Sequence, residues 1–322
     1  MGKDTRVEWA HHTFNPWWGC TRESEACRNC YAATFANRLG YSADGTKGLS
    51  LWGPTARRRF FEERHWMQAF RWDRQAAAAG ERHRVFCGSM CDVFENLAPD
   101  HPDRPALLAA QRRLFGLIME TPNLDWLLLT KRPQNIGVMV PGAWLHESTP
   151  PNLWLGTTVE DQRTANERIP ALLWFPARVH FLSCEPLLGP LELSRFMQMG
   201  TRCECDQGLD PSERCTPDAD EHWIRCNAGT RRINWVIAGG ESGGGARPIY
   251  PDWARSLRDQ CADANVPFFF KQWGAWSPRH KAEDPKADDY RALDGDDLVR
   301  LGKKKSGRLR DGREHSEVPN LC

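Results

Sequence analysis

PALLAAQRRLFGLIMETPNLDWLLLTKRP, residues 105–133, holds both halves of the unit that decides the fold. Over 105–121 the apolar residues recur at three- and four-residue spacing, the pattern of a helix with one face against a core. DWLLLTKRP (125–133) is then almost continuously apolar, as a strand covered on both faces must be, before it turns polar at Thr130 to Arg132. Working outward, the strand pattern repeats at RVFCGSM (84–90), LWLGTTVED (153–161), RVHFLSCEP (178–186), INWVIAGGES (233–242) and VPFFFKQWG (266–274), and a second clear helix pattern lies at DWARSLRDQCADAN (252–265). Strands alternating with amphipathic helices predict an α/β fold with a parallel sheet curled into a βα barrel.

Each strand-like run ends in small or polar residues: Ser89 and Asp92, Thr130 to Arg132, Thr157 to Glu160, Ser183 to Glu185, Gly239 to Ser242, and Lys271 to Trp273. In parallel barrels the carboxyl ends of the strands form the active face, so these endings are expected to share one mouth. The barrel is expected to comprise 1–195 and 233–277. A Cys-rich insertion at 196–232 and a polar C-terminal extension at 278–322, carrying GKKKSGRLRDGR (302–313), break its rhythm.

With 322 residues, 40% hydrophobic and 26% charged, the chain can bury one large core. The net charge of +1 gives no global field toward nucleic acid or an anionic membrane, so any basic site must be local. No run of about eighteen apolar residues occurs, and MGKDTRVEW lacks a signal peptide's layout. A cytoplasmic protein without membrane contact is expected. In that compartment the twelve cysteines read as metal ligands, catalytic groups or buried thiols rather than disulfides.

The strongest chemical signal is FNPWWGCTRESEACRNCYA (14–32), which sets Cys20, Cys27 and Cys30 in a C-x6-C-x2-C arrangement. Three thiolates from one loop can hold three irons of a [4Fe-4S] cluster and leave the fourth open to a ligand. The competing reading is a structural zinc completed by His11, His12 or a distant cysteine. Cys91 and Cys184 fall at strand ends and are the remaining candidate catalytic thiols. Cys203, Cys205, Cys215 and Cys226 can close a tetrahedron around zinc, against unpaired thiols or a second cluster.

The block HTFNPWWGC…C..CYA, followed by GSMCDVFE, LLLTKRP, LGTTVEDQ..A..RIP, FLSCEPLLGP, VIAGGESGGGARP and PFFFKQWG, resembles a phage- and bacteria-associated branch of the radical S-adenosylmethionine superfamily. The cluster spacing departs from that superfamily's common C-x3-C-x2-C. The resemblance implies a partial barrel, a [4Fe-4S] cluster, S-adenosylmethionine as cofactor and an external electron donor. Ser89 and Asp92 would then meet the cofactor's ammonium, Thr157, Thr158 and Glu160 its ribose, and Arg168, with Arg163 as the competing candidate, its carboxylate, with Gly239, Gly240 and Glu241 lending close backbone approach.

The resemblance further implies a 5′-deoxyadenosyl radical that takes hydrogen from a nucleotide or phage DNA base, with Lys131, Arg132, Arg247 and Lys271 as substrate-binding cations. The alternative function is a non-catalytic zinc- or cluster-containing nucleic-acid-binding protein.

Overall fold

A computed structural model describes residues 5, 7–41, 48–146, 149–198, 231–278, 290–293, 296–308 and 312–320. The strands are β1 (His12–Phe14), β2 (Trp17–Trp18), β3 (Arg59–Phe60), β4 (His83–Cys87), β5 (Leu124–Thr130), β6 (Leu153–Thr158), β7 (Val179–Cys184), β8 (Trp235–Gly239), β9 (Phe268–Gln272), β10 (Trp276–Pro278), β11 (Tyr290–Leu293) and β12 (Asp296–Arg300). Seven of them form one sheet in the order β1-β4-β5-β6-β7-β8-β9, every pair parallel. This is the curled half-barrel of an α/β fold. Helices Glu63–Ala79, Arg104–Glu120, Gln162–Leu173 and Pro251–Asp263 supply crossovers between β1 and β4, β4 and β5, β6 and β7, and β8 and β9.

Alternation along the strands sorts side chains between two cores. Trp126, Leu128, Leu155 and Leu182 join the large cluster that also holds the helices' apolar faces, including Leu114, Ile118 and Leu257. Their neighbours Leu127, Trp154, Phe181, Trp235 and Phe269 point the other way and fill the concave side together with Trp9 and Phe86. The rings there meet edge-on or tilted, Trp154 against Trp235 at 6.1 Å and Trp9 against Phe86 at 4.6 Å, the geometry that ring quadrupoles favour. Gly156 makes room for them, since a Cβ there would lie 2.3 Å from the Phe181 ring. This aromatic layer plugs one end of the half-barrel. Open space remains at the carboxyl ends of the strands.

β10, β12 and β11 build a three-stranded antiparallel sheet beside that open end. The last described stretch runs along β9, with Phe269 bridged to Ser316 and the Phe270 N–H donating to the His315 carbonyl at 3.0 Å. The Trp235 indole donates to the Glu317 carbonyl at 2.9 Å, so the C-terminal segment is sewn to the barrel edge. Most of the insertion, with Cys203, Cys205, Cys215 and Cys226, lies outside the described residues. Among those described, no helix is long and apolar enough to cross a membrane.

Candidate functional site

The cysteine loop leaves β2 through Gly19, whose φ of +115° and crowding against the Leu51 carbonyl admit no side chain. Cys20 then bridges to Trp52, Cys27 closes a short 3-10 turn over Glu25–Cys27, and Cys30 caps the helix Tyr31–Arg38. All three thiols are free and partly exposed. They line one cavity of about 260 Å³, together with Gly88, Ser89, Cys91, Asp92, Thr130, Lys131, Arg132 and Thr158. Its floor includes Phe86 of the aromatic layer.

Two buried arginines fix the loop from below. Arg58 grips Glu95 through Nε at 2.9 Å and Nη2 at 2.8 Å, and Glu95 in turn accepts the Thr21 N–H at 2.7 Å. Arg132 donates to the Thr21 carbonyl at 2.7 Å and to Asp92 at 2.8 Å. From the opposite side, Asn29 donates to Glu241 at 2.9 Å and to the Gly245 carbonyl at 2.7 Å, while Arg247 joins Glu241 at 2.7 Å and reaches the Glu25 carbonyl at 3.1 Å. Burial alone would raise the Glu241 carboxyl, but Arg247 and Asn29 outweigh it and hold it below the usual range.

Each residue singled out in the sequence can now be placed. Ser89, Asp92, Cys91, Thr158, Lys131 and Arg132 reach the cavity with the three cysteines. Asp92 was expected to take a ligand's ammonium, yet both its oxygens are occupied, Oδ1 by the Thr130 hydroxyl at 2.6 Å and the Phe94 N–H at 3.1 Å, Oδ2 by the Lys131 N–H at 3.0 Å and Arg132. Arg168 was expected to bind a carboxylate from outside. It donates instead to Glu160 and to the Thr158 carbonyl, both at 2.8 Å. Thr157 is buried and donates to the Thr130 carbonyl at 2.9 Å.

Glu160 is different, because its Oε1 is buried without a hydrogen-bond partner while Oε2 holds Arg168. An unpartnered buried carboxylate oxygen costs a few kcal/mol unless a ligand supplies a donor. Gly239 and Gly240 pack on protein rather than on the cavity, a Cβ on Gly240 falling 2.0 Å from the Trp273 carbonyl. Arg247 and Lys271, expected to meet substrate, are engaged with Glu241 and Glu185 respectively, the latter at 2.8 Å. Cys184 is wholly buried, away from the cavity lining.

Burial pushes the Cys20 thiol far up, with Glu95 and Asp92 adding to it and Arg132 opposing, and burial likewise raises Cys91. Both are protonated thiols in the protein alone. A metal would have to displace the Cys20 proton.

Among the described residues no three His, Cys, Asp or Glu side chains converge on one point as a mononuclear metal requires. Three thiols spread around one cavity fit a polynuclear cluster better, since each iron takes its own sulfur. Glu160, two residues beyond the cavity-lining Thr158, offers its unsatisfied oxygen to a polar ligand laid across the strand ends, whereas Gly88, like Gly240, packs on protein, a Cβ there falling 2.4 Å from the Cys91 sulfur.

A family model described as "Protein of unknown function (DUF5131)" matches residues 4–319. The chain belongs to that family. No curated protein matches the DUF5131 chain. Among solved structures, a double mutant of spore photoproduct lyase with bound AdoMet and dinucleoside spore photoproduct is similar at 10% identity and a TM-score of 0.41, over 91% of this chain and 69% of that one. A single mutant of the same lyase is similar at 11% identity and a TM-score of 0.41, over 90% of this chain and 68% of that one.

The sequence did not reveal Asn15, Asn29, Arg58 or Glu95. Asn15 donates to the Ser89 hydroxyl at 2.9 Å and accepts the Met90 N–H at 2.7 Å, holding the β4 end against the cysteine loop. Its place within NPWWGC, next to the motif, was the available signal.

Proposed function

We propose that this DUF5131 protein is a radical S-adenosylmethionine enzyme acting on a nucleotide unit, with Cys20, Cys27 and Cys30 holding a [4Fe-4S] cluster. The observation that carries the reading is the meeting of these three thiols at one cavity on the carboxyl face of a parallel half-barrel. When bound, cluster and cofactor together would supply a 5′-deoxyadenosyl radical able to take a hydrogen atom from an unactivated carbon, chemistry that belongs to the cofactor and not to side chains.

The chain's own residues bind and orient. Glu160 Oε1 is suited to accept a sugar hydroxyl, as its free oxygen is already oriented by the Arg168 contact on its partner oxygen. Ser89 and Thr158 offer hydroxyls at the cavity wall. The Cys91 thiol, kept protonated by its surroundings, offers a weak S–H to the same space.

The substrate class is read from charge. Arg132, Arg168, Arg247 and Lys271 are each matched by a carboxylate. Lys131, Arg22 and Arg28 also line the cavity and make no ion pair among the described residues. Three uncompensated cations around one opening favour an anionic ligand such as a phosphodiester. A base read inside a duplex would have to be extruded to reach the cavity, at a cost of a few kcal/mol that phosphate contacts help offset.

The test is deuterium transfer: reduced, reconstituted protein is mixed with S-adenosylmethionine and deuterated nucleosides, nucleotides or phage DNA. Deuterium in 5′-deoxyadenosine from any nucleotide unit supports the reading. Transfer from a peptide or small metabolite alone would reject the substrate class and leave the radical chemistry standing.

A further inference from the structure

Arg132 was expected to bind substrate, but its guanidinium is buried and turned toward the cysteine loop. It donates to the Thr21 carbonyl at 2.7 Å, to Asp92 Oδ2 at 2.8 Å and to Glu23 at 3.1 Å, and its Nη1 lies 3.8 Å from the Cys20 sulfur. A planar fork with five donors can serve four such partners at once; a lysine cannot. Its main chain is fixed too, the N–H donating to Thr130 Oγ1 at 2.8 Å.

The charges around Cys20 divide into two groups. Glu95 is balanced by Arg58 through two hydrogen bonds, in a pair buried on both sides. Asp92 and Glu23 are both balanced by Arg132 alone among the arginines that reach them. Removing the Arg132 charge would leave two carboxylates uncompensated beside the sulfur. Adding an electron near unbalanced negative charge in a poorly solvated site is unfavourable, and hydrogen bonds to a cluster's sulfurs and the local net charge set its potential.

We propose that Arg132 is a positioning residue that sets the reduction potential of a cluster held by Cys20, raising it by placing a cation against the Cys20 sulfur. The inference rests on the cluster reading above. It reassigns the KRP segment after β5 from substrate capture to control of the redox centre, with Lys131 left as the cation open to a ligand.

The experiment is an anaerobic redox titration followed by electron paramagnetic resonance on reconstituted wild type, Arg132→Gln and Arg132→Lys, without cofactor or substrate, with iron and sulfide counted for each. Full loading in all three, a potential shifted to more negative values in Arg132→Gln and a smaller shift in Arg132→Lys are expected. Loaded variants that titrate at the wild-type potential would overturn the proposal. Loss of the cluster from both variants but not from wild type would also overturn it, showing that Arg132 supports the loop's fold and not its potential. Wild type that takes up no iron would instead end the cluster reading itself.

Discussion

Cys20, Cys27 and Cys30 stand out in the sequence because three thiols fall within eleven residues of one loop, and the structure brings all three to one cavity. Replacing any one with alanine should remove most bound iron from reconstituted protein while far-ultraviolet circular dichroism stays unchanged, which elemental analysis checks directly. The sequence singles out Glu160 as a carboxylate after a strand, but its two unequal oxygens are visible only in the structure. Glu160→Gln keeps the size and should weaken S-adenosylmethionine binding about tenfold or more, the worth of one charge-assisted hydrogen bond. Calorimetry on the cluster-loaded protein measures it, and wild-type affinity would remove Glu160 from the cofactor site.

Asp92, Arg168, Arg247 and Lys271 show the limit of reading residues singly. Asp92 and Lys271 are taken up by charges from other strand ends, Arg132 and Glu185, 40 and 86 positions away, while Arg168 and Arg247 take the nearer Glu160 and Glu241, 8 and 6 positions away. Burying a charge is so costly that it selects an internal partner first. Nothing in a local pattern names a partner 40 or 86 positions away.

At the scale of elements, six of the seven barrel strands were legible from apolar runs, and the structure places them within a few residues of the expected ends. β1 is only three residues long, too short for a periodicity to register, and its pairing with β4 comes from tertiary context. The antiparallel sheet of β10, β11 and β12 was missed because its polar segments alternate weakly.

The packing argument for the strands can be tested at β6. Trp154→Ala should destabilise the protein by about 3–5 kcal/mol, the cost of removing a buried ring from a filled layer. Gly156→Ala should also destabilise it, since the Phe181 ring occupies the space a Cβ would need. Urea unfolding reads both, and a neutral Gly156→Ala would contradict the plugged interior.

For the molecule as a whole, stability should depend on acid through His180 on β7. Burial lowers its imidazole to about 4, with a minor push in the same direction from the Arg231 cation, while the Phe175 carbonyl, which accepts from Nε2 at 2.7 Å, works the other way. The unfolded chain takes up this proton near its ordinary value of about 6.5, before the folded chain does. Protons therefore favour unfolding through this window: the contribution is complete above about pH 6.5 and is lost as pH falls toward 4, by about 3 kcal/mol. Urea midpoints measured from pH 7 to pH 4 should fall, and the fall should be smaller in His180→Gln.

The molecule's design joins an aromatic plug at one end of the half-barrel to a thiol-lined cavity at the other, with the cysteine loop pinned by Arg58 and Arg132 on one side and by Asn29 and Arg247 on the other. The most direct test of the central claim is to reconstitute the protein anaerobically, reduce it, add S-adenosylmethionine and measure 5′-deoxyadenosine against a Cys20/Cys27/Cys30→Ala variant. The account predicts about four irons per chain and 5′-deoxyadenosine formed by wild type alone; zinc in place of iron, or no 5′-deoxyadenosine from a fully loaded and reduced protein, would contradict it.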